Sequence, residues 1–363
     1  MTTTTVAPAA VRRLRERFAQ LAELVATPLV PADYVDLIDP LRSSADLRGR
    51  IVEVQSETRD AVTLVIRPGR GWREHVPGQY VRLGVDVDGV RLWRAYSLTS
   101  PLRRKDGCIS VTVKVIPDGK VSNHLVRRAR PGLVVQLDQA AGDFVLPQAR
   151  PAKVLFVTAG SGITPVMGML RNAVDEIDDV VLVHSAPTEA DVIFAAELRE
   201  MAATGRLRLV EKHTDVDGIL SPADLEGLVP DAADRQTWAC GPTGMLDALE
   251  AHWADAGIAS AMHTERFRPM VLVTGEGGTV TFSKATVTIE ADGATPLLDA
   301  GEAAGVLMPS GCRMGICFGC VVPLLSGAVR DLRDGHVTTA VEGDGVKVQT
   351  CINAAAGPCD IEL

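Results

Sequence analysis

The stretch PSGCRMGICFGC, Pro309 to Cys320, places three of the chain's seven cysteines within nine residues and interleaves them with glycines. Cys312, Cys317 and Cys320 follow the spacing C-x4-C-x2-C, and Cys351 stands alone after 30 further residues. This is the plant-type pattern for a [2Fe-2S] cluster, in which four thiolates hold two irons. Cluster sulfurs are electron-rich and take N–H donors from a loop wrapped close around them. Gly311, Gly315 and Gly319 permit that approach and the positive φ it demands. Structural zinc is the alternative, but its ligands come as two short pairs, whereas here a four-residue gap precedes the pair and the fourth cysteine has no near neighbour. A thioredoxin-like reading of CFGC leaves Cys312 without a role.

At 363 residues the chain is long enough for two or three domains, each with its own core. A net charge of -9 argues against a nucleic-acid partner, which rewards basic faces. The excess is uneven: from Gly275 to Leu363 there are 11 acidic against 5 basic residues, a net of -6. The cysteine-rich end is thus the acidic one. No apolar run approaches the roughly 18 to 20 residues of a spanning helix, so no transmembrane segment is expected. MTTTTVAPAA lacks the charged start and apolar core of a signal peptide. The expected location is cytoplasmic, where clustered cysteines are metal ligands or redox groups more often than disulfides.

Residues 1–48 form an N-terminal extension in which Val11, Leu14, Phe18, Leu21 and Leu24 recur at helical spacing with arginines between them. A short amphipathic helix is expected there, either packed on the body of the protein or resting on a membrane surface. Residues 49–150 change to period two. RIVEVQS, AVTLVIRP, QYVRLGVDV, RLWRAYSL, ISVTVKVI and LVVQLD read as six strands of a small antiparallel β-barrel, with Ile109, Val111, Val113 and Val115 on one face. Residues 151–270 alternate strand and helix, KVLFVTAG, DVVLVHS, RLRLVEKH and QTWACG being the strands and VIFAAELREMA one of the helices. That predicts an α/β domain with a parallel sheet, whose ligands bind at the carboxyl ends of the strands. VTGEGG, residues 273–278, reads as a linker. Residues 276–363 form a third unit: two short strands in TVTFSKATVTIE, a helix over TPLLDAGEAAG, the cysteine loop and a last strand at GVKVQTC.

Three motifs upstream carry chemistry. In RAYSLTS, Arg94, Tyr96 and Ser97 are expected to share a face, the first meeting a phosphate, the second stacking on a flat ring, the third hydrogen-bonding. In DGKVSNHL a turn leads into a helix whose first N–H groups and Ser122 can cradle a pyrophosphate; a plainly capped helix is the other reading. TAGSGITPVMGML leaves a buried strand, turns through Gly160 and Gly162 and starts a helix at Thr164 and Pro165, which presents N–H groups to a phosphate. It lacks the third glycine of the dinucleotide fingerprint. ACGP repeats the turn with Cys240 over the same crevice, Cys240 being either a site residue or a buried structural one.

An Arg-x-Tyr-Ser barrel motif, a G-x-G-x-x-P turn, a Cys-Gly-Pro turn and a C-terminal plant-type cluster, in that order, resemble the ferredoxin-NADP reductase superfamily fused to a [2Fe-2S] ferredoxin domain. The resemblance spans residues 49–363. LIDPLRS, PGQYVRLGVDVDGVRLWRAYSLTS and ERF are similar to the actinobacterial subgroup that supplies electrons to membrane-bound acyl-CoA desaturases, with related members serving hydroxylases. The resemblance implies a multidomain fold: a flavin-binding antiparallel barrel, an α/β nucleotide domain and an α+β β-grasp ferredoxin domain. It also implies an NAD(P)H oxidoreductase with no side-chain nucleophile. FAD would be held by Arg94, Tyr96 and Ser97, with Gly119, Val121 and Ser122 on its pyrophosphate. Gly160, Gly162, Thr164 and Pro165 would bind NADPH, with NADH as the alternative. Cys240 and Gly241 would flank the nicotinamide, Glu265 and Phe267 would lie near the flavin, and Cys312, Cys317, Cys320 and Cys351 would hold the cluster. The partner implied is the desaturase, which would draw the protein to the inner face of the membrane; a soluble ring-hydroxylating or alkane monooxygenase and a non-catalytic redox sensor are the alternatives. NADPH-using relatives often carry arginines where Pro187 and Ile219 stand, so Arg206, Arg208 or Lys212 would have to meet the 2′-phosphate.

Overall fold

Apolar alternation along residues 48–137 builds one antiparallel sheet from β1 (Arg48–Thr58), β2 (Ala61–Pro68), β3 (Tyr80–Val87), β4 (Val90–Ser97), β5 (Ile109–Lys114) and β6 (Val134–Leu137). The spatial order is β4-β3-β6-β1-β2-β5, and a bridge between Leu98 and Val111 joins the two edges into a barrel. Closure removes exposed strand edges and buries Ile51, Leu64, Leu83, Leu98 and Val111 completely. The other face of β5 is buried too, because its hydroxyls find partners: Ser110 meets Thr99 at 2.8 Å and Thr112 meets Thr63 at 2.7 Å. Helix α1 (Lys120–Arg128) contributes Val121 and Leu125 to the barrel core. The coordinates are a computed structural model that describes residues 39, 41–42, 46–117, 119–267, 274–311, 313–315 and 318–363. The amphipathic segment expected within 1–48, Cys312 and Cys317 lie outside the described residues.

The second sheet is wholly parallel: β7 (Lys153–Ala159), β8 (Asp179–Ala186), β9 (Arg208–His213), β10 (Gln236–Cys240) and β11 (Met262–Glu265), in the order β11-β10-β7-β8-β9. Period two splits each strand between two layers. Val154 and Phe156 face the layer of α2 (Ile163–Ala173) and α3 (Ala195–Ala203), whereas Leu155 and Val157 face the opposite one. After the short α4 (Thr214–Asp217), that second layer comes from α5 (Pro222–Leu228) and α6 (Thr243–Asp255). The Ser cap expected for α5 is present as a full capping box with Asp224. Helix α3 starts later than its sequence suggests. Val192, Ile193 and Phe194 are buried ahead of it, and Phe194 takes a left-handed φ of 63°.

The third sheet is mixed, in the order β13-β12-β17-β14-β15, from β12 (Gly278–Phe282), β13 (Val287–Ala291), β14 (Val321–Asp331), β15 (Val337–Ala340) and β17 (Asn353–Ile361). Helix α7 (Leu297–Ala303) buries Leu297 and Leu298 in the same core, giving the β-grasp arrangement. The expected last strand at GVKVQTC is corrected. It is only β16 (Lys347–Gln349), pairing with β14, and the strand that completes the sheet is β17. Pro323 and Gly327 hide β14 from pattern reading; Gly327 sits at a register shift against β17, whereas Pro323 lies in the stretch that pairs with β16.

Helix α2 ties the second sheet to the barrel. Arg171 Nη1 donates to Thr99 O at 2.7 Å, Leu102 N donates to Asn172 Oδ1 at 2.8 Å, and Asn172 Nδ2 donates to Ser100 O at 3.2 Å. A Cβ on Gly168 would stand 2.3 Å from Leu98 O, so only glycine allows this approach. Among the described residues no helix is long and apolar enough to cross a membrane.

Two histidines are buried neutral. Burial lowers His75 and His184 to about 4. Their folded values lie below the unfolded ones, so their contribution to stability is complete above about pH 6.5 and is lost as pH falls through about 4. Urea midpoints measured from pH 7 down to 4 are expected to decline, and His184→Gln should make that decline shallower.

Candidate functional site

The nucleotide turn follows from β7. Gly160 takes a φ of 54°, Gly162 opens the way into α2, and the Thr164 hydroxyl donates to Ser161 O at 2.9 Å, which closes the first turn. Gly162 is needed for packing. A Cβ there would lie 2.0 Å from Cys240 O. The turn therefore seats directly on the β10 end, where Gly241 is crowded by Met245 and Ala159. Pro165 is buried within the first turn of α2, where a missing N–H costs nothing. The Ile163 N–H is already taken by Gly160 O and Ser161 O and Pro165 has none, so what the start of α2 offers an anionic phosphate is chiefly the positive end of its dipole.

Register places one side chain from each strand in a row across the sheet near its carboxyl edge: Glu265, Cys240, Thr158, His184 and Glu211. Cys240 is fully buried, and burial pushes its thiol well up, with Glu265 adding to the shift; it is a neutral, compact wall. Burial raises the Glu265 carboxyl to about 7, the Arg266 N–H works against that, and Asp143 adds to it. Thr158 Oγ1 and His184 Nδ1 are 2.8 Å apart, while His184 Nε2 has no hydrogen-bond partner among the described residues. Sequence reading missed Thr158 and His184 as neighbours, since only the parallel register brings them together. Phe267 is 40% exposed just beyond β11.

On the barrel, Arg94 and Tyr96 stand opposite Leu83 and Val81 and share their face, whereas Ser97 pairs with Tyr80 on the other. The expected common face for all three is thus corrected: adjacent strand residues alternate. Burial raises the Tyr96 phenol and lowers the Arg94 guanidinium, whose Nη1 donates to Trp93 O at 2.8 Å. A flavin phosphate suits this half-buried cation, and Tyr96 offers an un-ionised ring for stacking. At α1, a Cβ on Gly119 would strike Ser122 Oγ at 2.6 Å. Ser122 Oγ accepts from Ile116 N and donates to Gly119 O, so its hydroxyl is spent on shaping the turn. Val121 is buried, and what this turn can offer a pyrophosphate is its first N–H groups.

The cluster loop is held from the Cys351 side. Gln349 Nε2 donates to Gly315 O at 2.9 Å, and Thr350 donates to Cys320 O at 3.1 Å from both its N and its hydroxyl. Gly315, at a φ of 77°, leaves no room for a Cβ against Ile352. Cys320 and Cys351 are buried with their sulfurs 3.2 Å apart. That exceeds a disulfide bond of about 2.05 Å and approaches the roughly 3.7 Å between thiolates sharing a tetrahedral metal. The pair fits two ligands of one iron.

The cations suggested for a 2′-phosphate are elsewhere engaged. Arg206 and Arg208 lie at the amino end of β9, away from the nucleotide turn. Arg206 pairs twice with Asp175 at 2.7 Å, and Arg208 donates to Leu228 O at 3.1 Å. Lys212 is at the carboxyl end but its Nζ meets Asp224 Oδ2 at 2.8 Å. A parallel sheet fixes this outcome, because the start of one strand cannot lie beside the end of its neighbour.

Together these features define a flavin-dependent NAD(P)H oxidoreductase with an iron–sulfur domain. The Oxidoreductase FAD-binding domain family matches residues 51–146, the Oxidoreductase NAD-binding domain family residues 156–251, and the 2Fe-2S iron-sulfur cluster binding domain family residues 280–355. The chain is 48% identical to an NADPH oxidoreductase of Mycobacterium tuberculosis over 95% of its own length and 91% of that protein's. It is 33% identical to the ferredoxin reductase component of 3-ketosteroid-9-alpha-monooxygenase from Mycolicibacterium smegmatis, covering 80% and 89%. Its fold matches the solved phthalate dioxygenase reductase with a TM-score of 0.59 at 22% identity, covering 87% and 97%. The chain belongs to the ferredoxin-NADP reductase superfamily, in the family whose FAD and NAD domains are followed by a [2Fe-2S] ferredoxin domain.

Two substitutions probe the site. Gly162→Ala forces α2 away from Cys240 and should cost about 1–3 kcal/mol of stability while weakening nucleotide binding by about tenfold, read by equilibrium titration. Glu265 has a folded pKa raised above its unfolded one, so its contribution to stability declines as pH rises from the ordinary carboxyl range through about 7. Glu265→Gln should abolish that part of the decline in thermal melts taken between pH 5 and 8.

Proposed function

We propose that this reductase passes electrons from NADPH, through FAD and its [2Fe-2S] cluster, to a membrane-embedded acyl-CoA desaturase. The observation that carries the reading is the similarity of LIDPLRS, the 77–100 segment and ERF to the desaturase-serving subgroup. It is supported by 48% identity to a protein named NADPH oxidoreductase. Bound flavin supplies the change from a two-electron hydride to single electrons, which a di-iron oxygen chemistry consumes one by one. The chain supplies placement: Arg94 and the α1 turn anchor FAD, Tyr96 stacks on it, and Ser97 lies at the strand end. Gly160, Gly162, Thr164 and Pro165 seat the nucleotide phosphates, Cys240 and Gly241 leave space for the nicotinamide, and Glu265 and Phe267 close the flavin side. Cys312, Cys317, Cys320 and Cys351 hold the cluster. The acidic ferredoxin unit would steer encounter with a basic patch on the acceptor.

A soluble monooxygenase is the second reading for the acceptor, favoured by relatives that are themselves monooxygenase reductase components. NADH is the second reading for the donor, favoured by the engagement of Arg206, Arg208 and Lys212 described above. Membranes bearing the desaturase, mixed with the purified reductase, should show acyl-CoA-dependent NADPH oxidation. Support of a soluble oxygenase with no desaturation contradicts the leading reading.

Removal of a cluster ligand separates the two halves of the path. Cys351→Ser should leave the bleaching of flavin by nucleotide within about twofold of the parent and lower one-electron reduction of an added acceptor by at least about a hundredfold. Undiminished transfer in a variant without cluster would remove the cluster from the path.

A further inference from the structure

Arg171, in the last turn of α2, ties three elements together with one side chain. On the barrel side its Nη1 donates to Thr99 O at 2.7 Å, two residues beyond the end of β4. On the other side its Nε and Nη2 reach the two oxygens of Glu197 in the first turn of α3, at 2.9 and 2.6 Å. This paired geometry holds a guanidinium plane in one orientation. The same guanidinium lies 4.9 Å from the centre of the Phe194 ring, close enough for attraction to the ring face. Phe194 precedes α3, buried and with its left-handed φ of 63°; a bulky residue keeps such a backbone only where its surroundings fix it. With its side chain only 16% exposed, Arg171 spends its donors on partners from both units.

A second contact crosses the same seam. Arg59, in the turn between β1 and β2, sets its Nε 3.3 Å from Asp191 Oδ1, and Thr188 Oγ1 donates to the other oxygen of that nearly buried carboxylate at 2.7 Å. The chain between β8 and α3, residues 187–194, is thus held by the barrel at Asp191 and by Arg171 at Phe194. It leaves β8 at the carboxyl edge of the parallel sheet, the edge at which such sheets take their ligands, while α2 begins at the turn that follows β7. Through Arg171 both of these turns are referred to the end of β4.

We infer that Arg171 is a positioning residue for hydride transfer: by joining Thr99, Glu197 and Phe194 it fixes the distance between a nucleotide at the carboxyl edge and a flavin at β4. This role rests on the order nucleotide to flavin and is independent of which protein collects the electrons. In the step concerned a hydride, two electrons with one proton, passes from the dihydronicotinamide, which leaves oxidised, to the flavin, which is left reduced by two electrons. Arg171 gives no atom to that step; it fixes a geometry.

The test uses the full-length protein loaded with FAD and cluster, as the parent, Arg171→Gln, Arg171→Lys and Glu197→Gln. In anaerobic stopped flow the bleaching of flavin is followed against the concentration of NADPH and of NADH, so that the limiting rate separates from the half-saturating concentration. In Arg171→Gln the limiting rate is expected to fall by about tenfold or more, with half-saturation within about twofold of the parent. Arg171→Lys keeps a donor for Thr99 O without the fork to Glu197 and should recover part of the rate, while Glu197→Gln should lose about threefold. Hydrogen exchange in Arg171→Gln, measured without nucleotide, should rise in both residues 98–102 and residues 195–203, because both ends of the contact are released. A limiting rate equal to the parent's, a loss confined to half-saturation, no recovery in Arg171→Lys, or exchange rising in 195–203 alone overturns the inference. If Arg171→Gln does not retain flavin, Glu197→Gln decides, and a parental limiting rate there overturns the inference as well. A parent protein whose flavin neither nucleotide bleaches overturns the order nucleotide to flavin, and the positioning role with it.

Discussion

The close approach of Gly168 to Leu98 O is the constraint on which the working geometry depends. Helix α2 begins at the turn proposed for the nucleotide and ends with Arg171 and Asn172 hydrogen-bonded to the segment that leaves β4. One rigid element therefore sets the distance between the nucleotide turn and the strand that carries Arg94, Tyr96 and Ser97. Hydride transfer requires two flat rings in contact, and a shift of about an ångström is costly. A side chain at Gly168 would push the two units apart by the width of a methyl group. The same logic acts at Gly162, whose seat on Cys240 O brings the second crevice turn under the first.

Burial decides the chemistry available at that crevice. Cys240, His184 and Tyr96 are held un-ionised by burial, and Glu265 shifts toward neutrality. A site lined this way offers shape and a low dielectric without a competing nucleophile, which suits hydride and electron transfer better than acyl or phosphoryl chemistry. In the third unit, the segment around Cys351 organises the cluster loop through Gln349 and Thr350. The solitary fourth cysteine thus comes with its own hydrogen-bonding frame.

The barrel strands and the alternating α/β order were legible because apolar periodicity and turn residues agree there. All six barrel segments correspond to β1–β6, and the Ser221 cap appears where its spacing demands. The third unit was read less completely. Its strands β14 and β17 carry Pro323, Gly327, an alanine run and a Gly-Pro pair, which blur the strand pattern; Pro323 is taken up in the pairing with β16, and Gly327 and the Gly-Pro pair at the register shift between β14 and β17. The turns and the cysteine pattern were visible because ligand chemistry dictates both residue type and spacing. The transverse row of Thr158, His184 and Glu211 was not, since its members meet only through register between strands distant in sequence. The face taken by Ser97 and the engagement of Lys212 with Asp224 likewise depend on the folded backbone.

The central claim is that one chain converts hydride to single electrons through flavin and an iron–sulfur cluster. Anaerobic reductive titration of the purified holoprotein, followed in the visible and with iron, sulfide and flavin counted on the same sample, addresses it most directly. The predicted result is one FAD, two irons and two sulfides per chain, with three electrons taken up by dithionite and both flavin and cluster bands bleached by the preferred nucleotide. A sample with full flavin that takes up only two electrons, or whose iron–sulfur bands persist while nucleotide bleaches the flavin, would contradict it.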